Sequence, residues 1–169
     1  MTDPHAQHQQ NEEPVLYATA NEPQAILVAV DASSGVERVI DMAVRLGRSM
    51  PEATLHIIHV LGMSRLDRAR VGAPPAPSSH ALEEAKEHLA HCARDLKRKT
   101  RSTVVQHFVL GDPSTEILRV AVELDIDVLV VGTHDYAGFE RLLLGSVAEK
   151  LMRKVGCPIL VVRPKNHKH

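Results

Sequence analysis

The run AILVAVD at residues 25–31 is apolar throughout and closes on an acid. No other stretch constrains the fold as much. A strand with one wet face alternates apolar and polar residues, so a run without alternation needs cover on both faces. Ser33, Ser34 and Gly35 follow as a turn. Then Val36, Val39, Ile40, Ala43, Val44 and Gly47 recur at spacings of three and four, which is the buried stripe of a helix.

The strand–helix unit then repeats. Residues 54–60 (TLHIIHV) read as a second strand, and Leu82, Ala85, Leu89, Cys92 or Ala93, and Leu96 form the stripe of a second helix. Residues 103–109 (TVVQHFV) are a third strand. Gly111 stops it, Asp112 stands as N-cap of the next helix, Pro113 takes the first helical position and Glu116 falls in the first turn. Ile117, Leu118, Ala121 and Val122 are that helix's expected buried face. Residues 127–131 (DVLVV) form the fourth strand. A last helix from Ser146 is expected to bury Val147, Ala148, Leu151, Met152 and Val155, and residues 157–162 (CPILVV) form the fifth strand. Alternating strands and helices with two-sided apolar strands predict an α/β fold: a doubly wound five-stranded parallel sheet, strand order 3-2-1-4-5, with helices on both faces. Residues 25–165 make up this domain, and the polar, aperiodic residues 1–24 are expected to be a flexible tail.

Composition narrows the function. Hydrophobic residues make up 44% of the chain and aromatic ones 2%, so the core is aliphatic. Twenty basic against 21 acidic side chains give a net charge of -1, which argues against a nucleic-acid surface. The basic run RDLKRKTR at 94–101 ends a predicted helix, where cations offset the negative end of the dipole. Cys92 and Cys157 lie far apart at apolar positions without ligand spacing, so they read as core residues in a reducing compartment, the cytoplasm. No run reaches the roughly 18 to 20 apolar residues of a membrane span.

The connection at 62–79 (GMSRLDRARVGAPPAPSS) exceeds the roughly 12 to 15 residues of an ordinary loop. It is either a lid over the carboxyl edge of the sheet or a passive insert. His56 and His59 are three apart on an extended strand, so they point to opposite faces and cannot chelate one ion together; the tail histidines His5, His8, His167 and His169 read as solvated. No metal site is expected. Ser33, Ser34 and Ser146 start helices, and no nucleophile–base set accompanies them, so the chain is not read as an enzyme beyond slow ATP hydrolysis at most.

In the predicted strand order the reversal falls between strands one and four, where open α/β sheets bind ligands. Asp31 to Ser34 and the loop beginning at Gly132 leave the sheet there. Gly132 is expected to let the backbone turn away at an angle a side chain would block. Gly145 and Ser146 open the last helix, whose free N–H groups attract anions; Ser146 can cap that helix or turn its hydroxyl to a phosphate oxygen.

Together the pieces at 26–31, 55–60, 111–113, 127–134, 142–148 and 157–163 resemble the universal stress protein family. The resemblance implies a five-stranded α/β domain, a homodimer, and a branch that binds ATP through a loop G-x-x-G, nine residues, then G-S or G-T. Gly132, Gly145 and Ser146 match at the right spacing, whereas Asp135 stands in place of the second glycine. A carboxylate about 4 Å from a phosphate charge costs about 1 kcal/mol in a water-like medium. A carboxylate turned outward, or one sharing Mg²⁺ with the phosphates, would avoid that cost. The resemblance implies ATP, with Mg²⁺, held by Ala29, Val30, Asp31, Ser33, His59, Val60, Gly132, Thr133, His134, Asp135, Gly145, Ser146 and Val147. Within that set, His59 and Val60 are expected on the adenine side, and Gly132, Gly145, Ser146 and Val147 at the ribose and phosphates. The alternative is a dimer that binds no ATP and acts through protein partners. The apolar fifth strand is the expected dimer edge.

Overall fold

A computed structural model describes residues 24–33, 35–62, 77–133 and 145–163. The elements run β1 (Ala25–Val30), α1 (Val36–Ser49), β2 (Thr54–Gly62), α2 (Ser79–Lys99), β3 (Val104–Gly111), α3 (Pro113–Glu123), β4 (Val128–Gly132), α4 (Ser146–Lys154) and β5 (Ile159–Val162). The strands form one parallel sheet in the order β3-β2-β1-β4-β5, the order expected from the sequence. The expected tail, the long connection after β2 and the loop after Gly132 fall wholly or largely outside the described residues.

Strand parity divides the core into two layers. Ile26, Val28 and Val30 of β1, with Leu55 and Ile57 of β2, pack against Val39, Ile40 and Ala43 of α1 and Leu89, Cys92 and Leu96 of α2. The intervening Leu27, Ile58, Leu129 and Val131 face Ile117, Val120 and Ala121 of α3 and Ala148 and Leu151 of α4. The central strand β1 is apolar on both faces because both are covered: Ile26, Leu27 and Val28 are fully buried. Each such side chain contributes roughly 1.5 to 3 kcal/mol. Asp127 precedes β4, and its Oδ2 accepts hydrogen bonds from the backbone N–H groups of Gln24 and Ala25, tying the starts of the two central strands together.

Helix ends follow the capping chemistry. Asp112 Oδ1 accepts from the Thr115 N–H at 3.1 Å and from both the Ser114 and Thr115 hydroxyls, with Pro113 beginning α3. Ser78 Oγ accepts from the Ala81 N–H at the start of α2, whose last turn carries Lys97, Arg98 and Lys99.

Several positions depart from the sequence reading. Val122 is 81% exposed and Val120 is buried in its place. Both sets are helical stripes through Ile117 and Ala121, and packing on the sheet selects the one through Val120. Met152 is half exposed, because α4 meets the sheet only through Ala148 and Leu151. Val36, Leu118, Val147 and Val155 sit at the margins of the core. Cys157 is partly buried ahead of β5, which starts at Ile159. The edge strand β3 buries only Val104, so it is not apolar on two sides.

Candidate functional site

β1 and β4 are the strands at which the chain reverses its order, and a cavity of about 190 Å³ opens between their carboxyl ends. Ala29, Val30 and Asp31 of the β1 exit, Ile58 and Val60 of β2, and Val131 and Gly132 of β4 form its floor. Pro113 and Ile117 of α3 stand on one side, and Gly145, Val147, Ala148 and Leu151 at the start of α4 on the other. Strand parity explains the floor: Ala29, Ile58, Val60 and Val131 lie on the face shared with α3 and α4.

The lining is aliphatic, and Asp31 is its one charged member among the described residues. Asp31 Oδ1 accepts from the Ser33 N–H at 2.9 Å, closing a small turn as the chain leaves β1. Its backbone carbonyl accepts from Nε2 of His88 on α2 at 2.8 Å. The mouth also carries the first turn of α4, where Gly145 is the N-cap and the leading N–H groups face outward from the helix end. Beside Pro113, the Asp112 carboxyl is held well below the usual carboxylate range, mainly by the Ser114 hydroxyl and also by the Thr115 bonds and the Lys150 cation.

The residues expected to bind a ligand divide into three groups. Ala29, Val30, Asp31, Val60, Gly132, Gly145 and Val147 line the cavity. Ser33, His59, Thr133 and Ser146 do not. His134 and Asp135 lie outside the described residues.

His59 lies on the other side of the sheet from the cavity. As an odd-numbered β2 residue it points to the α1/α2 face, where its buried ring donates from Nδ1 to the Val30 carbonyl at 3.1 Å. It stacks on Phe108 at 6.1 Å and meets His88 edge-on at 5.9 Å. Burial lowers its pKa, and the neutral ring suits a donor to a carbonyl. Thr133 is buried, and its N–H donates to the Val162 carbonyl across the β4–β5 ladder. Ser146 is exposed as the first residue of α4 and does not cap it. Gly132 is not in a left-handed conformation; a Cβ there would stand 3.1 Å from Val39 Cγ2, so close packing by α1 is the reason for glycine.

Sequence reading missed Ile58, Pro113, Ile117, Val131, Ala148 and Leu151. Pro113 reads as a helix start and the other five as ordinary core positions. The available signal was parity: Ile58 shares its strand face with Val60, and Val131 with Leu129.

The arrangement suits binding more than covalent chemistry. Burial raises the pKa of both Cys92 and Cys157, so neither is an activated thiolate. Among the described residues no group of three or more His, Cys, Asp or Glu could hold a metal ion, and no helix is long and apolar enough to cross a membrane. The aliphatic cleft accepts a flat apolar group, Asp31 offers an acceptor at its edge, and the α4 N-terminus favours an anion.

The sequence model of the universal stress protein family matches residues 23–163. Universal stress protein A homolog 1 of Coxiella burnetii is 32% identical over 142 residues, covering 81% of this chain and 94% of that protein. Universal stress protein YxiE of Bacillus subtilis is 28% identical over 145 residues, covering 82% and 97%. Among solved structures, protein MJ0577 superposes with a TM-score of 0.69 at 24% identity, covering 85% of this chain and 97% of that one. A universal stress protein in complex with cAMP gives 0.63 at 22% identity, covering 83% and 97%. The universal stress protein of Archaeoglobus fulgidus in complex with dAMP gives 0.62 at 22% identity, covering 82% and 96%.

Proposed function

The chain belongs to the universal stress protein family, and from that premise we propose that it is a stress-response regulator that binds an adenine nucleotide, ATP foremost, in the β1/β4 cleft and works as a homodimer. The observation that carries the reading is the cleft itself, with an aliphatic cavity on one side and the N-terminus of α4 on the other. A volume of about 190 Å³ falls below the roughly 300 Å³ at which pockets for whole drug-sized ligands begin, which fits a base inside and a sugar and phosphates beyond. Val60 and Ile58 then flank the base, Asp31 accepts from a hydroxyl or amino group, and Gly145 presents the helix end to the phosphates. Relatives of the same fold complexed with cAMP and dAMP support an adenine ligand.

Asp135, standing where the ATP-binding pattern has glycine, favours a second reading in which the dimer binds no ATP and acts through protein partners. Calorimetric titration with Mg-ATP, AMP and cAMP separates the two. The nucleotide reading predicts saturable binding. It also predicts that Asp135→Gly raises affinity for ATP about fivefold, by removing about 1 kcal/mol of repulsion, and leaves adenosine affinity unchanged. Heats of dilution alone for all three ligands at millimolar concentration would leave the partner-binding reading standing.

A further inference from the structure

The sequence pairs His56 with no ligand on its own strand, but the sheet supplies one from the next. His56 of β2 and His107 of β3 lie on the same sheet face, with Nδ1 of one 3.0 Å from Nε2 of the other and ring centroids 5.2 Å apart. The parallel register sets His56 beside Val105 and Ile58 beside His107, so the two imidazoles meet diagonally across the strands. We propose that His56 and His107 form a two-imidazole chelate for a borderline-soft divalent cation, Zn²⁺ above all, that clips the edge strand β3 to β2.

Two zinc-bound nitrogens at 2.0 to 2.1 Å and a tetrahedral angle are about 3.3 Å apart. Going from 3.0 Å to that separation opens the pair by about 0.3 Å and turns each ring nitrogen about 35° off the N–N axis, with the cation taking the place of the proton between the rings. Both rings are half-buried. Among the described residues no third His, Cys, Asp or Glu joins them, so water or an added ligand completes the shell and the bound metal exchanges freely. The pair lies on the same sheet face as the cleft: His107 is register partner to Ile58, which lines the cavity.

The test is a zinc titration of the full chain followed by long-range ¹H–¹⁵N spectra of the imidazoles. With one equivalent of Zn²⁺, His56 Nδ1 and His107 Nε2 should move together. His56→Gln should abolish the response of His107 and His107→Gln that of His56, each with more than a tenfold loss of zinc affinity. His167→Gln with His169→Gln should leave both responses intact. A change of stability in a variant is read separately from its metal-free melting temperature. Zinc signals confined to the tail histidines, or a His107 response undiminished in His56→Gln, would overturn the proposal.

Discussion

His59 shows how much one residue's setting governs its role. Burial lowers its pKa below the ordinary 6.5, so protonation favours the unfolded chain. Its contribution is therefore complete above about pH 6.5 and declines as pH falls below that value. Replacing it with Phe keeps the stacking on Phe108 but removes the donor to the Val30 carbonyl, at a cost of roughly 1 to 3 kcal/mol. Urea unfolding of wild type and His59→Phe at pH 7.5 and pH 5 checks both points: the variant should lose less stability on acidification. An equal loss in both proteins would exclude His59 as a source of the pH dependence. The resemblance implied His59 and Val60 together at the adenine side, yet adjacent residues on a strand face opposite ways.

At the scale of elements, caps and strand runs were legible because they are local. Asp112, Pro113 and Glu116 announce the start of α3 without reference to the rest of the chain, and the structure places the cap where they indicate. Removing it by Asp112→Ala should cost about 1 kcal/mol in urea unfolding, and Asp112→Asn much less, since Asn also caps. Helix phase was less legible: Leu118 and Val122 or Val120 and Leu124 can each complete a stripe, and only the partner sheet decides. The proposed dimer has its contact on the β5 edge. Ile159, Leu160, Val161 and Val162 are each only partly covered within one chain, and an open apolar edge favours pairing. Light scattering at micromolar protein should give twice the chain mass of 18.6 kDa; a monomer would refute the dimer.

For the molecule as a whole, the alternation of apolar runs with helical stripes determines the sheet, and the sheet's strand order determines where its cleft opens. Part of the cavity rim was readable because Asp31, Gly132 and Gly145 stand out from their neighbours. The apolar half was hidden, because Ile58, Ile117 and Leu151 have the same chemistry as the core they adjoin. On the proposed function an adenine nucleotide occupies this cleft. Thermal melting of the wild type and of Val147→Trp, which fills the cavity mouth, decides this, with circular dichroism to establish that the variant folds. A ligand at ten times its Kd stabilises by about 1.4 kcal/mol. Adenine nucleotides should therefore raise the wild-type Tm by several degrees and leave Val147→Trp unmoved. No rise with ATP, ADP, AMP or cAMP at millimolar concentration, or an equal rise in the folded variant, would contradict it.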